Sequence, residues 1–279
     1  MLQPSATATP TTPQTARLFA IGQQCRLAIA TMLTSVSSSH LGCSYSIIDI
    51  LVTLYHAVID LDAIKKQRPS RDYVILSKGH AASGLYAALA SVDLIPRTML
   101  SNYHQGFLGG HPTRMPAHGV EASTGSLGHG LSIAVGMALA AQHDALPSRF
   151  FVIVGDGECQ EGSIWEAITM AVRLKLDNLT VIVDYNNLQG LDRSDDIATE
   201  PLDGKFKAFG CTVTHVDGHD HQALANNFGA PRTPQRPRVI IAHTTKAKGV
   251  PFMEDKLAWH YKSCKPEEYA LVQKLLEDA

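Results

Sequence analysis

Phe150-Phe151-Val152-Ile153-Val154 opens into Gly155-Asp156-Gly157, and about thirty residues later Val181-Ile182-Val183-Asp184 opens into Tyr185-Asn186-Asn187. Short, wholly apolar runs bounded by turn residues read as strands buried on both faces, and the separation suits one βαβ unit. Parallel strands end on the same carboxyl edge of a sheet. Asp156 and Asn186 would meet there, two hard oxygen donors suited to one Mg²⁺ or another divalent cation such as Ca²⁺ or Mn²⁺. Gly155 and Gly157 let the backbone approach an anion closely. The pairing points to a metal-bound diphosphate.

The rest of the chain extends this unit. Further strand-like runs cover residues 73–76, 211–216 and 239–242, and helical periodicity covers 15–36, 46–59, 80–92, 128–143 and 162–175, with a last helix over 266–276. The alternation predicts an α/β fold with a doubly wound, mostly parallel sheet. No repeat or linker interrupts it, and the proline-rich stretch 231–237 reads as a surface loop. One domain is expected over 15–279, behind a disordered tail of residues 1–14 rich in Pro, Thr and Ala.

Composition narrows the function. The 279 residues suffice for a large core, and 24 Lys and Arg against 26 Asp and Glu, net −2, form no basic stripe, so nucleic acid is not an expected partner. Five widely spaced cysteines without a CxxC pair suggest neither a disulfide framework nor a zinc ribbon, and fit a reducing cytoplasm. The N-terminal stretch lacks the basic start and apolar core of a signal peptide, and the apolar run 131–141 is too short to span a bilayer, so no membrane association is expected. The helix opening at Gly128 carries Gly130, Ala134, Gly136, Ala138, Ala140 and Ala141, which suits either a core helix or a helix at a subunit interface.

Four histidines sit beside glycine or at turn-like boundaries: His40, His80 in Ser77-Lys78-Gly79-His80, His111 in Gly109-Gly110-His111-Pro112, and His260 after Trp259. Neutral imidazole both donates and accepts hydrogen bonds near pH 7, which suits hydroxyl-rich substrates. His215, His219 and His221 are also close in sequence, but Val216-Asp217-Gly218-His219-Asp220 reads as a turn before a helix, and a structural role is expected for the three.

The strand-GDG, helix, strand-NN pattern resembles the metal and diphosphate motif of thiamine diphosphate enzymes, and Glu158-Cys159-Gln160-Glu161-Gly162 with Trp165-Glu166-Ala167 resembles the transketolase family. The four histidines occur in the family's order, and residues 119–130 resemble its glycine-rich stretch. From about residue 15 onward nearly the whole chain takes part. The resemblance implies thiamine diphosphate as cofactor, in a diphosphate-binding domain that contacts it through Gly125, Leu127, Gly155 and the N–H of Gly157. It implies a metal held by Asp156, Asn186 and the carbonyl of Leu188. It further implies that His40 and His111 face the donor sugar, that His80 and His260 touch the diphosphate or substrate hydroxyls, and that Glu161 and Glu166 stand at a subunit interface. A helix N-terminus at Gly128 would add free N–H groups for phosphate.

Two positions depart from the family's usual pattern. Residues 246–261 resemble small-subunit transketolases, but Tyr261 follows His260 where a glycine is common; Leu41 follows His40 where full-length transketolases usually have proline, which leans toward the two-chain subclass. In the family the glutamate that activates the aminopyrimidine lies on a pyrimidine-binding domain that residues 1–279 do not contain. The resemblance therefore implies a separate C-terminal subunit carrying the pyrimidine-binding and C-terminal domains, an α₂β₂ assembly, and transfer of a two-carbon ketol unit from a ketose to an aldose. Half of an enzyme acting on a 2-keto acid, or a non-catalytic interaction subunit, are the alternatives. Phosphorylated pentoses, branched sugars and sulfonated sugars all remain open as substrates.

Overall fold

A computed structural model describes residues 12–197 and 200–278. Strands β1 (Tyr73–Leu76), β2 (Phe150–Gly155), β3 (Leu179–Tyr185), β4 (Thr212–Asp217) and β5 (Arg238–His243) form one sheet in the order β1-β2-β3-β5-β4. Every pairing is parallel, so the sheet expected to be mostly parallel is wholly so. The register sets Gly155 beside Asp184 and Tyr185 beside His243, aligning the ends of β2, β3 and β5 along one edge.

The helices are α1 (Pro13–Ser35), α2 (Leu41–Tyr45), α3 (Ile48–Thr53), α4 (Leu61–Lys65), α5 (Ala82–Ser91), α6 (Arg97–Leu100), α7 (His129–His143), α8 (Gly162–Arg173), α9 (Leu202–Phe209), α10 (His221–Gly229) and α11 (Pro266–Glu277). Alternate strand residues point to opposite faces. Val74, Phe151, Ile153, Ile182 and Ile240 join one core with α1, α3, α5 and α10. Ile75, Val152, Val154, Val181 and Ile241 join a second with α7, α8 and α9. Each fully buried aliphatic side chain contributes roughly 1.5–3 kcal/mol, so a strand covered twice is apolar throughout instead of alternating.

The helix expected over 46–59 is divided. His40, in the left-handed region at φ 70°, starts α2 early, and the Ser46 hydroxyl then donates to the Cys43 carbonyl and to Asp184, ending that turn before α3 begins. A wider π-type turn over Leu54–Val58 follows α3. The stretch Leu41–Val58 is by composition long and apolar enough to cross a membrane, more so than 131–141, yet 83% of it is buried inside the fold. At the N-terminus, Pro13 and Gln14, expected in the tail, are already helical because Thr12 caps the helix and Pro13 supplies a preset φ. The remainder of the expected tail, residues 1–11, lies outside the described residues.

Two features answer questions left by the sequence. Helix α7 buries Gly130, Ala134, Ala138 and Ala141 against the sheet, while Ile133 and Leu139 are 39% and 38% exposed and nothing lies within 4 Å of a Cβ built on Gly136. His219 and His221 both face Asp49, with His221 Nε2 3.7 Å from Oδ1, while His215 stands apart. His219 Nδ1 donates to Asp49 at 2.7 Å while its Nε2 accepts from the Thr245 N–H, His221 Nδ1 pairs with Thr53 Oγ1, and His215 pairs with His243. Asp49 also takes both terminal nitrogens of the buried Arg26, at 3.1 and 2.6 Å. All five cysteines are free and buried.

Candidate active site

The strand ends and the loops that follow them enclose a cavity of about 360 Å³. It is lined by His40, Lys78, His80, Gly125, Leu127, Gly155, Asp156, Gly157, Glu161, Asn186, Leu188, Lys246 and His260, so nearly every residue singled out in the sequence meets there. His111 stands just outside, exposed, with its ring against Gly125. Glu161 reaches the wall from the start of α8, and Glu166, one turn further, is exposed.

The floor is ionic. β1 delivers Lys78 and β3 delivers Asp184, both buried, with Nζ 2.5 Å from Oδ2. Burial alone pushes Asp184 up, but Lys78 and the hydroxyls of Thr244 and Ser46 outweigh it and hold the carboxyl below its usual range. The Asn186 amide donates to the same carboxylate at 3.1 Å, leaving its carbonyl oxygen turned to the Leu188 N–H. Asp156, at the end of β2, accepts from the N–H groups of Gly157 and Asn187 and from the Ser194 hydroxyl. Burial and the neighbouring Asp184 charge nevertheless raise its pKa to about 6.

Glu158 and the two lysines were not identified from the sequence. Glu158 is a buried clamp: it accepts from Ser77 Oγ, from Gly155 N at 3.0 Å and from Gly128 N at 2.8 Å, joining three loops. The Gly128 N–H, expected to be free for phosphate, is therefore taken by this carboxylate. The Gly157 N–H, expected to face diphosphate, bonds to Asp156 Oδ1 at 2.8 Å. The loops are drawn so close that a Cβ on Gly79 would lie 2.7 Å from the Gly125 nitrogen. Lys78 carried a readable signal, a cation two residues after an apolar strand. Lys246 lies 14 residues before His260 and carried none.

Three imidazoles crowd the upper wall, with His40 5.2 Å from His80 and 5.6 Å from His260 between ring centroids. Burial and the nearby cationic and imidazole groups keep them neutral: His40 falls to about 4, His260 to about 3, and His80 well below the usual range. Lys246 Nζ lies 2.7 Å from His260 Nδ1 and 2.9 Å from the Leu188 carbonyl. An ammonium can only donate, so Nδ1 accepts and the His260 proton resides on Nε2.

The donor set fits an anion beside a hard cation. Gln189 Nε2 lines the cavity, buried and without a hydrogen-bond partner, an amide donor that a phosphate oxygen would satisfy. Asp156, Asn186 and Leu188 supply oxygens of the kind Mg²⁺ prefers.

A family described as transketolase, thiamine diphosphate binding domain, matches residues 20–277. The chain belongs to the transketolase family. One chain of the apulose-4-phosphate transketolase of Actinobacillus succinogenes, named as a subunit of that enzyme, is 40% identical over 247 residues, 88% of this chain and 90% of that one. A 6-deoxy-6-sulfo-D-fructose transketolase subunit of Clostridium sp. (strain MSTE9) is 40% identical over 230 residues, 79% and 82% of the two chains. Among solved structures, the transketolase of Campylobacter jejuni superposes with a TM-score of 0.83 at 30% identity, covering 93% of this chain and 42% of that one. The chain thus spans about two fifths of that solved transketolase, and its thiamine diphosphate binding domain is the part the two share.

Proposed function

We propose that this chain is the diphosphate-binding subunit of a two-chain transketolase, which moves a two-carbon ketol unit from a ketose to an aldose. The observation that carries the reading is the cavity in which neutral His40, His80 and His260 stand above Asp156, Asn186 and two buried lysines. A partner subunit with the pyrimidine-binding domain is supported by the relatives named as subunits, of which the chain covers 90% and 82%. An α₂β₂ arrangement fits the exposed apolar face of α7 and the 49% exposed Met170 on α8. Unbridged cysteines support a reducing cytoplasm.

In this reading Asp156, Asn186 and the Leu188 carbonyl hold Mg²⁺, and Lys246, Gln189 and His80 hold the diphosphate. When bound, thiamine diphosphate supplies the electron sink that makes cleavage next to a ketone feasible. The chain itself does the positioning. His260 offers its Nε2 proton to a substrate oxygen, because Lys246 fixes the tautomer. His40, its Nδ1 paired with Ser39 Oγ at 2.8 Å, is held by that hydroxyl and offers its other nitrogen to sugar hydroxyls. Neutrality lets these rings accept or return a proton as carbonyl and hydroxyl interconvert.

The test is a tagged pull-down from the native cell, with the eluate assayed for thiamine diphosphate- and Mg²⁺-dependent glycolaldehyde transfer. Recovery of a second subunit together with transfer is the expected result. A second chain recovered without transfer from any ketose, but with turnover of pyruvate, would move the chain to the 2-keto acid class.

A further inference from the structure

We infer that Tyr261 is a specificity-determining residue that restricts the ketose by chain length, favouring shorter donors. This rests on the ketol-transfer reading above. Tyr261 lines the rim of the cavity with 62% of its surface exposed, the largest aromatic surface around the opening. Its ring stands edge-on to His40 at 5.8 Å and tilted against His260 at 4.5 Å. The same two imidazoles are the ones placed to meet the sugar hydroxyls, so whatever they hold passes beside this ring.

The ring's hydroxyl end lies close against Gly190, where a Cβ would crowd it. Seated between the loop after β3 and the turn carrying His260, the ring forms part of the cavity rim. A glycine at 261 would leave that volume open to the distal carbons of a longer sugar. Among the residues lining the cavity the lysines are Lys78, paired with Asp184, and Lys246, which bonds Leu188 and His260 and is assigned above to the diphosphate; both are buried. Neither is at the rim, so on this chain the far end of the donor meets an aromatic surface and its length is read sterically. An aromatic face also suits the C–H surface of a carbon chain.

The experiment uses the complete two-chain complex and measures kcat/KM for D-xylulose 5-phosphate, D-fructose 6-phosphate and D-sedoheptulose 7-phosphate with one aldose acceptor. Tyr261→Gly should raise the six- to five-carbon ratio at least tenfold, Tyr261→Ala should behave alike, and Tyr261→Phe, which keeps the bulk, should hold the ratio within about twofold. Calorimetry should find thiamine diphosphate affinity within about twofold of the parent in all three. A uniform change for every donor in the glycine variant overturns the inference. So does loss of the partner subunit on gel filtration, which would assign the ring to the subunit interface. A parent complex that transfers from none of the donors instead overturns the functional reading on which this one stands.

Discussion

Asp49 and Asp156 are both buried carboxylates surrounded by polar groups, yet they sit at opposite ends of an electrostatic range. Asp49 is closed on itself: burial would raise it, but the Arg26 guanidinium and His219 hold its carboxyl well below the usual range. Among the described residues Asp156 receives three hydrogen bonds and no ion pair, and burial with the neighbouring Asp184 charge pushes its pKa up to about 6. The first has its counter-charge built into the chain. The second has the charge balance of a site completed by something that binds. A buried acid with its own arginine reads as architecture; one left short of positive charge, in a cavity, reads as function.

That contrast can be broken most directly at Asp49. Asp49→Ala leaves Arg26 buried and unpaired and should lower stability by about 3–5 kcal/mol, measured as the urea midpoint, with little effect on cofactor affinity of the molecules that remain folded. Asp156→Ala should do the reverse. Mg²⁺-dependent thiamine diphosphate binding should weaken at least about a hundredfold by calorimetry, while stability falls by only about 1–2 kcal/mol. Unchanged affinity would refute the metal role.

The histidines sharpen the comparison through pH. His40, His80, His221 and His260 are all depressed in the fold, chiefly by burial, so the unfolded chain binds more protons than the native one below the ordinary imidazole pKa. Stability is thus complete above pH ~6.5 and lost as pH falls toward the folded values. Urea denaturation should show higher stability at pH 7 than at pH 5, with Asp156, raised to about 6, offsetting part of the loss, and a profile flat from pH 7 to pH 4 would contradict the assignment. The smallest effect belongs to a third kind of carboxylate: Asp62, exposed, with Lys66 at i,i+4. Lys66→Ala should leave the urea midpoint unchanged within error.

The inner strands were legible because strands covered on both faces are written as unbroken apolar runs ending in turn residues, whereas the edge strand β4 is mixed, with Thr214 and His215 exposed. The cavity was legible where its residues follow those runs, as Asp156, Asn186 and His80 do. What escaped depends on contacts between distant segments. Glu158 looks like an ordinary first-turn acid until its bonds to Ser77 and Gly128 are seen. Asp49 and Arg26 lie 23 residues apart on different helices, and Lys246 meets Leu188 across 58. Helix α9 was unread because its apolar face is short, Leu202 and Phe206 being its buried residues. The Pro13 start carried a local signal in Thr12 and the proline itself, masked by the Pro- and Thr-rich composition around it.

His40 couples conformation to chemistry in a way that restricts what can replace it. Its φ of 70° and ψ of 22° lie in a region that costs a non-glycine residue roughly 1–2 kcal/mol and that asparagine, aspartate, histidine and glycine tolerate best. Alanine or a β-branched residue at 40 would remove the imidazole and disturb the start of α2 at once, confusing the two losses. Asparagine keeps the turn and deletes the ring. Position 40 has a short alphabet, set by the backbone before the sugar is ever consulted, and only within it can the contribution of the imidazole be separated from that of the turn.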